Sequence, residues 1–88
     1  MHALVFDVTI PDLDEALREL REQVVPMVRQ APGFVTGVWL ESGEGRGQAV
    51  VVFENEDAAN TAAQMARSTP PAAVTLSDIS VREVFAQA

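Results

Sequence analysis

Residues 2–28, HALVFDVTIPDLDEALRELREQVVPMV, change hydrophobic period at Pro11, and the fold reads outward from that change. Before it, Leu4, Phe6, Val8 and Ile10 alternate with Ala3, Val5, Asp7 and Thr9, the pattern of a strand from His2 to Ile10 whose side chains point to opposite faces in turn. After it, Leu13, Ala16, Leu17, Leu20, Val24, Met27 and Val28 fall on one stripe at helical spacing. Asp12 stands in the N-cap position with Glu15 three residues on, a helix-start signal. Asp14, Arg18, Glu19, Arg21 and Glu22 lie on the other side and are expected to face water. Pro26 removes one backbone hydrogen bond and crowds the carbonyl of Glu22, which predicts a kink.

Pro32 and Gly33 end this helix, and a second strand follows over Phe34 to Glu41. The glycine-rich stretch Ser42 to Gly47 turns the chain into a third strand from Gln48 to Glu54, forming a hairpin. Asn55 reads as an N-cap with Glu56 and Asp57 in the first turn, where the positive helix end favours acids. The helix behind it reaches about Arg67, and its Ala59, Ala62, Ala63 and Ala66 allow close approach to a sheet. Ser68 to Pro71 breaks the chain, and a last strand centres on Ile79, Val81 and Val84. The order β-α-β-β-α-β over residues 1–88 predicts a single α+β domain of ferredoxin-like architecture, with two helices on one face of a four-stranded antiparallel sheet.

The third strand, Ala49-Val50-Val51-Val52-Phe53, is apolar on both faces, where a sheet with one wet face should alternate. An 88-residue chain without cysteine cannot add disulfides to a small core. Both facts predict a homodimer packed sheet to sheet with two-fold symmetry. Thirteen acids against six bases give a net charge of −7, and the six arginines form no run, so nucleic acid is not an expected partner. No apolar stretch reaches the roughly 20 residues of a membrane span, and MHALVFDVTI lacks a basic leader, so a cytoplasmic protein with no membrane partner is expected. Arginine without lysine in an alanine-rich chain matches the usage of GC-rich bacterial genomes. Lacking Lys, Cys and Tyr, the chain offers no Schiff base, thiolate or phenolic acid, and no metal or organic cofactor is expected.

The layout, the stretch Val24-Val25-Pro26-Met27-Val28-Arg29-Gln30-Ala31-Pro32-Gly33-Phe34-Val35 with Gly37 and Trp39 beyond it, and the run Val50-Val51-Val52-Phe53-Glu54-Asn55-Glu56-Asp57-Ala58-Ala59 resemble the dimeric α/β-barrel proteins. Within them the chain is similar to the antibiotic-biosynthesis-monooxygenase-like group, which includes many small bacterial members without assigned activity. The resemblance implies a homodimer whose sheets share a barrel, with a small pocket in each subunit. It also implies a choice of chemistries. Some relatives oxygenate an aromatic substrate without metal or flavin: the substrate is deprotonated and itself reduces oxygen, while the protein positions it. Others degrade haem through an Asn in the first strand with a Trp and a His later; here that strand carries Asp7 and Thr9, and the only histidine is His2.

Four residues are candidates for a site. Trp39 either stacks on an aromatic ligand or fills the core or dimer interface. His2 is either a general base or a partly exposed strand residue. Asp7, at the middle of a central strand, must face a pocket, a partner or an arginine, and Arg82 is its expected ion-pair partner within or between subunits. Gly43-Glu44-Gly45-Arg46-Gly47 joins two strands instead of opening a helix, so it reads as a hairpin turn and not a phosphate loop. Three functions fit: a cofactor-independent monooxygenase acting on a small quinol or anthrone, a non-catalytic binder of a small hydrophobic or aromatic molecule, or a dimerisation module with a filled core.

Overall fold

The computed structural model describes all residues, 1–88. Strand β1 (His2–Thr9) leads into helix α1 (Leu13–Glu19), a π-helical turn (Leu20–Val24) and helix α2 (Val25–Arg29), which continue one another without a break. The hairpin of β2 (Phe34–Gly43) and β3 (Arg46–Phe53), helix α3 (Glu56–Ser68) and β4 (Thr75–Glu83) complete the chain. The four strands form one antiparallel sheet in the order β2-β3-β1-β4, an α+β topology compatible with a ferredoxin-like fold. The first and third strands, β1 and β3, are central. No helix is long and apolar enough to cross a membrane.

The predicted caps form. Glu15 donates its amide to Asp12 Oδ1 at 3.2 Å, and Ala58 donates to Asn55 Oδ1 at 2.9 Å. Gly33 turns the chain out of α2 at φ +79, and a Cβ there would stand 2.8 Å from that of Ala58. Only glycine meets both demands, left-handed backbone and contact with the first turn of α3.

At Pro26 the helix departs from α geometry in the π turn just before it, in which the Val25 N–H reaches back to the Leu20 carbonyl. Four readings are corrected in detail. The extra residue in that turn rotates the helix beyond it, so Met27, expected on the buried stripe, is 57% exposed while Val25 and Val28 are half-buried. Leu13, at the start of the stripe, is exposed as well. The hairpin turn shrinks to Glu44 and Gly45, because the flanking residues pair; within the turn Gly45 takes the left-handed φ of +69. The last strand stops at Glu83, and Val84 lies beyond it with its N–H on the Met1 carbonyl at 3.0 Å.

The register separates the two sheet faces. Leu4, Phe6 and Val8 lie beside Val51, Ala49 and Gly47 on the helix side, where Leu4, Val51 and Phe53 pack against Ala59 and Ala63 of α3. The alanines of α3 let it seat directly on the sheet, as their spacing suggested. On the other face Ala3, Val5, Val50 and Val52 line up with Val38 and Leu40, which are 51% and 49% exposed. The apolar second face is therefore present, and no helix lies over it, although Ala3 is buried among its neighbours.

A candidate ligand cavity

While α3 seats on the sheet, α1 and the π turn stand off it. Between them and the other half of the same sheet face lies a cavity of about 350 Å³. Its floor is built from Phe6, Val8 and Ile10 of the first strand and its extension, Gly47 and Ala49 of β3, and Trp39 of β2. Its roof is Ala16, Leu17, Leu20 and Val24, and one end is closed by Pro71 and Val74 from the connection between α3 and β4. Glu19, Glu41 and Arg46 supply charge at its edges. Alternation made the floor: each second residue of β1 must be bulky to meet a helix, and small Gly47 and Ala49 opposite them leave the space open.

Of the four candidates, the cavity includes Trp39 and none of the others. The Trp39 ring lies along its own strand over Gly37: a Cβ on Gly37 would come within 3.2 Å of indole Cη2 and Cζ3. The buried Ala49 is its cross-strand neighbour, so the ring has room to lie flat. Trp39 therefore packs against the core and walls the cavity at once, on the helix side of the sheet.

Asp7 belongs to the opposite face. Its Oδ1 accepts from Gln48 Nε2 at 3.2 Å, and its neighbour on β4 is a second acid, Asp78. Arg82 shares that face but stands beside Ala3, with its Nε donating to Ser80 Oγ at 3.2 Å. The expected Asp7–Arg82 ion pair does not form within the chain, because their rows are four positions apart along extended β1. Asp7 and Trp39 accordingly do not converge. His2 is on the helix side but at the far end of β1, its Nε2 3.7 Å from Glu56 Oε2 and its Nδ1 buried without a partner.

One functional candidate escaped the sequence pattern. Glu19, expected on the solvated side of α1, accepts the Ala72 N–H at 2.9 Å on Oε2 and the Ala73 N–H at 3.0 Å on Oε1. The sequence carried no signal for it, because amides in a largely exposed connection such as Pro70-Pro71-Ala72-Ala73 are ordinarily met by water. No group of three or more His, Asp or Glu side chains gathers as metal ligands would. No protein-family profile matches the chain, and no curated protein matches it.

Proposed function

We propose that the chain binds a small, mainly apolar aromatic molecule in the cavity beneath Trp39, and that it oxygenates a quinol or anthrone there without metal or flavin. The observation that carries the binding step is the cavity itself: about 350 Å³, with 12 hydrophobic residues among the 20 that line it. That volume falls within the roughly 300–1,000 Å³ of ligand pockets, and it argues against a module with a filled core. The indole ring offers a flat surface for an aromatic partner.

The oxygenation step draws on the resemblance to the monooxygenase-like group and on the chain's poverty in catalytic groups. An anthrone that loses a proton becomes an electron-rich anion able to reduce oxygen itself. One oxygen atom replaces the two methylene hydrogens as a carbonyl, and the other leaves with them as water. The chain's own part is to hold the ring against Trp39, keep water off it, and balance the anion with Arg46 at the rim. Oxygen consumption across a panel of hydroquinones and anthrones tests this reading. Consumption with at least one of them, lost in Trp39→Ala, supports it; tight binding without consumption reduces the function to binding alone.

The working unit in this proposal is a homodimer joined through the uncovered sheet face. Exposed Val38 and Leu40 beside Val5 and Val50 supply its apolar centre. Arg82 lies at one end of this strip, and Asp7 and Asp78 at the other. An antiparallel two-fold arrangement brings each Arg82 toward the partner subunit's acids, which is the intersubunit form of the expected pair.

A further inference from the structure

We propose that residues 70–74 form a gate at one end of the cavity and that the Glu19 carboxylate is its latch, a device that rests on the cavity being a ligand site. The connection from α3 to β4 reads Pro70-Pro71-Ala72-Ala73-Val74. Its two prolines have no N–H to donate, and no backbone hydrogen bond ties this segment to another part of the chain; the nearest, from Thr69 to the Met65 carbonyl, belongs to the end of α3. The segment is held by two kinds of contact. On the inner side Pro71 and Val74 wall one end of the part-open cavity; on the outer side Ala72 and Ala73 both donate to Glu19.

Glu19 is placed to couple these two sides. It is the last residue of α1, immediately before the π turn whose Leu20 and Val24 form the roof. Behind it lies a shallow polar groove bordered by Glu15, Arg18, Glu22 and Gln23, so water reaches the latch from outside and competes for the same amides. Release of two amides from one carboxylate leaves Pro71 and Val74 as the segment's only remaining hold, because nothing else hydrogen-bonds it. The end wall then leaves as a unit, while the sheet floor and the α3 core stay in place. A small apolar ligand thus enters and leaves without opening the main core.

The test uses the full chain and a neutral fluorescent probe, N-phenyl-1-naphthylamine, followed by stopped-flow mixing in wild type, Glu19→Ala, Glu19→Gln and Glu22→Ala. Loss of the two charge-assisted bonds should raise both entry and exit rates about tenfold in Glu19→Ala, with Kd changing much less than either rate. Glu19→Gln, which keeps an acceptor for one amide, should fall between; Glu22→Ala should match wild type. Hydrogen exchange at the Ala72 and Ala73 amides, measured without probe, should accelerate in Glu19→Ala. Unchanged amide exchange overturns the latch. Freed amides with unchanged probe rates overturn the gate while leaving the cavity reading intact. Failure of the probe to bind any variant, with the amides freed, removes the cavity reading and the gate with it. Should Glu19→Ala fail to fold, Glu19→Gln carries the same comparison.

Discussion

The indole of Trp39 occupies the space that a side chain at Gly37 would fill, with ring carbons Cη2 and Cζ3 within 3.2 Å of the missing Cβ. Replacing Gly37 with Val must push the ring off its strand and into the cavity. Overpacking of this kind costs about 1–3 kcal/mol. Urea unfolding followed by the emission of this single tryptophan should show that loss, and the affinity for a neutral aromatic probe should fall with it. A Gly37→Val protein with unchanged emission and affinity would place the ring elsewhere.

Gly33 should tolerate substitution even less. In Gly33→Ala the new methyl meets Ala58 at 2.8 Å on a backbone at φ +79. Strain and overlap together predict a loss of about 2–4 kcal/mol. Combining it with Ala58→Gly should recover the overlap part only, so a double-mutant cycle read by thermal unfolding separates the two causes.

Filling the cavity should weaken binding and spare the core. Ala16 is buried in its roof, on the far side of the sheet's midline from the Ala59 and Ala63 contacts. Ala16→Phe is expected to lower probe affinity by about tenfold or more while costing no more than the 1–3 kcal/mol of an overpacked site. By contrast His2→Ala and Asp7→Asn lie outside the cavity and should change probe affinity by less than about twofold, as distant sites do. A large loss in either would reopen their candidacy.

The sheet face opposite the cavity predicts the assembly. Light scattering of the wild-type chain should give twice the 9.5 kDa of one subunit. Val50→Glu, at the centre of the uncovered face, should produce monomer, because a buried unpaired carboxylate costs several kcal/mol at an interface. Arg82→Glu should weaken the dimer, and Asp7→Arg in the same chain should restore part of the loss. A wild-type monomer at micromolar concentration would leave the apolar face unexplained.

Much of this fold was legible because local chemistry and global position agree. The alternation of β1, the Asp12 and Asn55 caps, the Pro32-Gly33 exit and the small residues of α3 each specify what the structure contains. What stayed hidden depended on space and on backbone groups. The cavity is a gap between elements, and no residue type spells a gap. Glu19 looked like any charged residue on a helix exterior because its partners are main-chain amides 53 and 54 positions away. Asp7 and Trp39 were each open to a pocket or to an interface, and only the register between strands places them on opposite faces.

The π turn at Leu20–Val24 has a consequence for descent. It amounts to one residue more than an α-helix needs to span the same distance, so a single-codon deletion within residues 20–24 would remove the turn and set the Pro26 ring against the carbonyl four residues before it. Met27 would stay outside, because losing the extra residue leaves the helix beyond it facing as before, but the roof over Trp39 would change shape where the helix bends, with every other residue retained. Homologues lacking that one residue should accordingly differ in what they accommodate, and an alignment gap at this turn would mark a split in ligand preference before any change at the cavity floor.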